Sequence, residues 1–285
     1  LPTSLPSVVG VSNLAPFSDN ARDVESWLVR LKMTLLKHSI IAATRRANKV
    51  VAISATCKDV LTSHGIEPSK ISVIPNGVDP FWSQPSTASN ILNENGIAGA
   101  YLLYVSHFYR YRNHQRLVHA YAMLPASTRA AHQLVLVGKP ADRRYFDEVL
   151  ELRSRLGLDR DVVVISGVSG ERLRHLYQRA RLFVFPSLIE NCPNILLEAM
   201  AAGAPVLASS LQPMPEFGGP AVEYFNPLDA EGMAQKIGML LSSQKVVDEM
   251  KGNSTRQAQR FSWDLFVQEV VELCHLAKSK QNLEK

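Results

Sequence analysis

Two carboxylates stand close together in PSLIENCPNILLEAMAAGAPVLAS, residues 186–209: Glu190 and Glu198. Glu190 precedes a helical pattern. Glu198 lies inside it, among Ile195, Leu196, Leu197, Ala199 and Met200. A helix this apolar is built for burial, and a buried carboxylate needs partners. Two kinds suit Glu198 equally at this point: a neighbouring arginine in a salt bridge, or hydroxyls of a sugar or ribose donating hydrogen bonds. Pro193 reads as the first helical residue, where its missing N–H would be unpaired anyway. The free N–H groups of Asn194 and Ile195 then point outward with the positive end of the helix dipole, which suits an anion. Arg112 and Lys139 suit a phosphate, Arg as a two-pronged donor and Lys as a point charge. Taken alone, each of these two reads more simply as a surface cation near a strand end.

These residues need a scaffold that gathers them. Short β-branched runs alternate with helical patterns along most of the chain. VVGVS (8–12), KVVAIS (49–54) and ISVIPNGVD (71–79) read as strands, with helical periodicity over 24–47 and a helix ending at Gly65. Residues 83–99 are polar and turn-rich and read as a linker. The alternation restarts with strands at 101–106, 132–138, 161–167, 181–187, 204–210 and 221–225 and helices between them. That rhythm predicts an α/β fold with a parallel sheet covered on both faces. Right-handed crossovers make its later part a doubly wound, nucleotide-binding type of domain. Ligands of such sheets collect beyond the carboxyl ends of the strands. There lie His107, Arg110 and Arg112 after the first strand of the second series, Lys139 after the next, Val168 after the third, and Glu190 to Asn194 after the fourth. Two further helical stretches follow, the last containing WDLFVQEVVELCHLAKS.

Composition sets outer bounds. The chain has 285 residues, of which 46% are apolar, enough for one large domain or two ordinary ones. Lys and Arg number 31 against 26 Asp and Glu, a net +5 with no long basic run, so a nucleic-acid arm is not expected. Cys57, Cys192 and Cys274 are far apart, without metal-ligand or disulfide spacing; a reduced compartment follows most simply. Cys192 has no His or second Cys near it in sequence to activate it as a nucleophile. No apolar run reaches membrane-spanning length. The opening LPTSLPSVVGVSN reads as mid-protein sequence, so the chain is expected to be a piece of something longer.

The segment from Glu190 to Glu198 and on through AMAAGAPVLAS resembles the retaining glycosyltransferases of family four, which have the GT-B fold. VISATCKDVL with ISVIPNGVD, YLLYVSHFYRYRNHQRLVHAY, LVLVG, VVVISGVSGERLRHLYQRARLFVFPS and FSW (261–263) follow in the family's order. The resemblance implies a doubly wound C-terminal domain preceded by a partial N-terminal Rossmann-like domain. Boundaries are expected at 1–82, a linker at 83–99, a donor-binding domain at 100–262, and a C-terminal helix at 263–285 packing back on the N-terminal domain. It implies a hexose transferred with retention from a UDP- or GDP-sugar to a glycan or lipid-linked acceptor in cell-surface polysaccharide synthesis. No cofactor and no metal are implied; cationic side chains and the helix terminus steady the leaving diphosphate. Glu190 would meet the donor-sugar hydroxyls and Arg112 the leaving group, as the catalytic pair. Glu198 would hold the ribose. Lys139, His107, Asn194, Ile195, Gly138 and Val168 would complete donor binding, Val168 near the base. The implied location is the cytoplasm, with a peripheral contact at the inner membrane face left open.

Several departures from the family pattern stand out. The family usually has Arg at His107, which carries a charge there only when protonated, and Lys at Arg112. The usual Glu-Gly-Phe-Gly is ENCPN, where Pro193 cannot donate a hydrogen bond. Ser12 and Asn13 occupy positions where a His is common, so no general base is assigned. A non-catalytic donor-binding fragment is the competing reading. A nucleotide-sugar epimerase is disfavoured by the two-Glu helix, and a nicotinamide dehydrogenase by the absence of Gly-x-Gly-x-x-Gly after the early strands.

Overall fold

The computed structural model describes residues 6–18, 27–88, 90–168 and 170–283. The first residues of the helical pattern at 24–47 lie outside them. The chain divides into two compact units: a smaller one of Leu1–Gly77, Ile189–Pro193 and Phe261–Lys285, and a larger one of Val78–Leu188 and Asn194–Arg260.

The smaller unit holds β1 (Val8–Val11), β2 (Lys49–Ala52) and β3 (Ile71–Val73), parallel and in that order. Helix α1 (Trp27–Arg46) leads into β2, and α2 (Ala55–Ser63) into β3. Val11, Val50, Ala52, Cys57, Leu61 and Ile71 share one buried cluster. Ser54 starts α2 by accepting the Cys57 N–H at 3.0 Å, an N-cap bond that satisfies a donor the helix cannot pair itself. The same hydroxyl donates to Asn191 Oδ1 at 2.9 Å, which ties the 189–193 loop to this unit. Leu273, on the C-terminal helix, buries against Val51 and Ile74, with Phe266 and Val270 alongside. A Cβ at Gly77 would lie 2.1 Å from the Trp263 nitrogen, so that close approach requires glycine.

The larger unit is built on a six-stranded parallel sheet: β4 (Ala100–Val105), β5 (His132–Val137), β6 (Val162–Ile165), β7 (Leu182–Phe185), β8 (Val206–Ser209) and β9 (Glu223–Phe225). The spatial order is β6-β5-β4-β7-β8-β9. β7 and β8 are buried throughout, and β4 everywhere but its first residue. Such unbroken apolar runs mark strands covered on both faces. Helix α3 (Ile91–Glu94) precedes β4; α4 (His114–Ala122), α5 (Ala126–Ala131), α6 (Arg143–Arg155), α7 (Gly170–Arg179), α8 (Asn194–Ala201) and α9 (Met214–Gly218) lie between the strands, and α10 (Ala230–Leu241) and α11 (Gln244–Ala258) follow β9. Helix α4 packs against α6 and α10, while α8 packs against α7 and α11. The strand order runs outward from β4 to β6, then restarts on the other side of β4 with β7. The crevice beyond the ends of β4 and β7 is therefore the topological switch point, where sheets of this kind bind ligands.

Two sequence expectations change here. Residues 83–99 are not a free linker. Ile91 and Ile97 are buried, the Ser86 N–H donates to Gln178 Oε1 at 3.0 Å, and α3 packs on α7. Ile91, Leu92 and Ile97 in a polar stretch are too few to show a period, which is why composition hides this packing. Pro193 is not the first helical residue either; α8 begins at Asn194, and Pro193 stands just before it. The other end follows the sequence. Gly203 takes φ 78°, its N–H reaches Met200 O, and the Ala204 N–H reaches Ala199 O, the paired bonds of a Schellman C-cap.

Candidate functional site

Three loops, those after β4, β5 and β6, meet beside α8 at the switch point because backbone bonds continue past the strand ends. The Ser106 N–H donates to Val137 O at 2.8 Å, the Gly138 N–H to Ile165 O at 3.0 Å, and the Phe108 N–H to Lys139 O at 3.0 Å. A Cβ at Gly138 would fall 1.8 Å from the Ser106 carbonyl oxygen, so only glycine lets the β4 and β5 loops come this close. Gly167, after β6, takes φ 71°, which glycine adopts without strain.

The gathered loops form a cleft of about 230 Å³ lined by Ser106, His107, Gly138, Lys139, Gly167, Val168, Leu173, Ile195 and Glu198, with Val105 and Val137 also in its wall. Six of the residues singled out in the sequence meet here: His107, Gly138, Lys139, Val168, Ile195 and Glu198. Three do not line it. Asn194 is exposed on the first turn of α8. Arg112 Nη1 donates to Ser187 Oγ at 3.3 Å, and its guanidinium lies 5.1 Å from the Tyr111 ring centre. Glu190 belongs to the 189–193 loop, which groups with the smaller unit.

Glu198 is half-buried, and among the described residues it makes no salt bridge. Its hydrogen-bond partner is the Tyr177 hydroxyl, which donates to Oε2 at 3.4 Å. Burial in the apolar wall of α8 pushes the Glu198 carboxyl up to about 7, with the Tyr177 hydrogen bond pulling it partly back down. Tyr177 is fully buried, and burial drives its phenol well above the usual tyrosine range, so it is a neutral donor. Its ring meets Trp82 edge-on at 5.6 Å and Phe183 at 5.5 Å, which fixes the hydroxyl. A carboxylate with one weak partner at the wall of a cleft keeps acceptor capacity for incoming hydroxyls. Tyr177 escaped the sequence reading because it sits in mid-helix; only the packing of α7 on α8 pairs it with Glu198. Ser106 and Leu173 were missed because they have no chemistry that stands out in sequence.

The loop from β4 into α4 is braced by Asn113. It takes φ 64°, a left-handed conformation that asparagine tolerates better than most side chains. Its Nδ2 donates to Pro186 O at 3.1 Å and Pro227 O at 2.8 Å, and its Oδ1 accepts from Arg116 at 2.8 Å. One buried amide thus joins the loops after β4, β7 and β9. Among the described residues no cluster of three or more His, Cys, Asp or Glu could hold a metal ion.

A parallel doubly wound sheet with a cleft at its switch point, together with a second parallel α/β unit in the same chain, defines the GT-B class of fold. Comparison with solved structures agrees. The chain superposes on the Anabaena protein HepE in complex with UDP-glucose, with a TM-score of 0.79 at 19% identity over 94% of this chain and 71% of that one. Sucrose-phosphate synthase from Thermosynechococcus elongatus gives 0.75 at 22% identity, over 94% and 67%. The glycosyl transferases group 1 model matches residues 90–257, and the Glycosyltransferase Family 4 model residues 14–81. The chain belongs to this glycosyltransferase family. Its curated relatives include the serotype-specific mannosyltransferase WbdA of Escherichia coli, 27% identical over 229 residues, and an MMP alpha-(1->4)-mannosyltransferase of Mycolicibacterium hassiacum, 31% identical over 224. Those matches cover 78% and 76% of this chain but only 28% and 51% of the relatives, so the chain spans about half their length or less. No described helix is long and apolar enough to cross a membrane.

Proposed function

We propose that this chain carries the donor site of a retaining hexosyltransferase that moves a sugar, mannose being the first choice, from a UDP- or GDP-sugar to a glycan or lipid-linked acceptor. The observation that carries the reading is the switch-point cleft, where one cation, Lys139, and one half-buried carboxylate, Glu198, face the same space. A nucleotide diphosphate asks for that pairing: donors and positive charge for phosphate, and an acceptor for ribose hydroxyls. Gly138 and Val168 give the backbone edge along which a base can lie. Asn194 and Ile195 add N–H groups at the start of α8. Arg112 serves the leaving diphosphate and Glu190 the hydroxyls of the transferred sugar. Developing charge on the departing phosphate is met by fixed donors, so the protein needs to reorganise little during transfer. The mannosyl choice is supported by two relatives that are themselves mannosyltransferases.

The test is sugar transfer from labelled nucleotide-sugars by the full-length protein. Glu198→Ala is expected to lower transfer at least tenfold, on the order of the 1.5–3 kcal/mol of a hydrogen bond to a charged group. Undiminished transfer by that variant would remove Glu198 from the site. Nucleotide binding without any transfer would favour the non-catalytic alternative.

A further inference from the structure

His107 lies in the loop after β4, and its ring is held in a way that decides its chemistry. The Lys139 backbone N–H donates to His107 Nδ1 at 3.2 Å. One step away, the Phe108 N–H donates to Lys139 O at 3.0 Å. The imidazole therefore adds one more rung to the β4–β5 ladder after the strands have ended, and it is the side chain, not the backbone, that accepts. With the Nδ1 lone pair taken by a backbone N–H, the neutral ring carries its hydrogen on Nε2. Among the described residues Nε2 makes no hydrogen bond, and His107 lines the same cleft as Lys139 and Glu198.

We propose that His107 acts as a neutral hydrogen-bond donor, giving Nε2–H to a phosphate oxygen of the bound nucleotide, and not as a cation replacing the family's arginine. This rests on the donor-site reading above. On that reading Lys139 is, among the described residues, the one cationic side chain lining the cleft, and His107 contributes direction instead of charge. The hydrogen bond to Lys139 makes the ring a positioned donor, since turning it over would set an acceptor-less C–H against the Lys139 N–H.

Two variants separate the two ring nitrogens. His107→Asn places an amide oxygen where Nδ1 stands, so the tie to Lys139 is kept, but the side chain stops short of Nε2. His107→Gln reaches the Nε2 position with an amide N–H. Calorimetric titration of UDP and GDP is expected to show the better-bound nucleotide weakened about tenfold by His107→Asn, the loss of one hydrogen bond to a charged group, with the melting temperature unchanged. His107→Gln is expected to bind within about threefold of the unaltered chain on the same scale. In parallel, a two-bond 1H–15N spectrum of the 15N-histidine-labelled chain should show His107 in its Nε2–H form, with the Nε2 signal moving when nucleotide is added. An Nδ1–H or doubly protonated pattern in the nucleotide complex overturns the inference, as does unaltered affinity in His107→Asn. Failure of the unaltered chain to bind either nucleotide overturns the donor-site reading and the inference with it.

Discussion

At the scale of single residues, the site turns on Glu198 and its partner. In an unfolded chain a glutamate loses its proton near 4.5, whereas folded Glu198 keeps its proton up to about 7. Between those values the folded state holds more protons than the unfolded one. The stability this group contributes is therefore full at the acid end of the window and is lost as pH rises through it. Melting temperatures of Glu198→Gln and the unaltered chain should draw apart in favour of Gln as pH rises from about 4.5 to about 7, then run parallel. A constant gap across that range would show that the carboxyl is not desolvated. Tyr177→Phe removes the bond that pulls the group down, so it should move the upper end of the window higher. The sequence marked Glu198 by its position on an apolar helix, and left the salt bridge and the hydroxyl acceptor equally open. The structure removes the first: the partner is a tyrosine from another helix, a pairing that no spacing within α8 encodes. His107 and Lys139 were legible because strand ends are legible, and Ile195 because the start of α8 is. Ser106 and Leu173 were not, since they line the cleft through backbone path and shape.

At the scale of elements, the loops matter more than the helices they join. Asn113 holds a left-handed backbone and bonds two proline carbonyls that belong to different strand ends. Asn113→Ala should cost about 3 kcal/mol, from the strained backbone and the carbonyls left without a donor. Asn113→Gly should recover about 1 kcal/mol of that, because glycine relieves the backbone part alone. Urea denaturation of both variants measures the split; equal losses would mean that the left-handed conformation carries no strain. Most strands and the long helices were readable from their period, because parallel strands buried on both faces give continuous β-branched runs. Helix α11 was not. Its segment QKVVDEMKGNSTRQA carries Gly252, Asn253, Ser254 and Thr255, weak helix formers all. It folds because Val247, Met250, Ser254 and Ala258 fall on one buried face and the helix packs on α8. Tertiary packing overrides local preference there, as it does for the buried isoleucines of the stretch read as a linker.

At the scale of the whole molecule, the chain joins two parallel α/β units, and the family resemblance, the strand order and the superpositions agree on the GT-B class. The strand alternation alone pointed to a nucleotide-binding sheet; the glycosyltransferase reading needed the spaced glutamates and their AMAAGAPV continuation. What sequence spacing cannot give is which of the separated loops share one cavity. Six named residues do, and Arg112, Asn194 and Glu190 stand outside that cleft. The central claim is that this cleft is a nucleotide-diphosphate site, and calorimetric titration of UDP and GDP against the chain, Lys139→Ala and Glu198→Gln tests it most directly. One of the two nucleotides should bind the unaltered chain, and each substitution should weaken it about tenfold or more, as expected for a lost charged hydrogen bond. Binding unaffected by both substitutions, or no binding of either nucleotide, would contradict it.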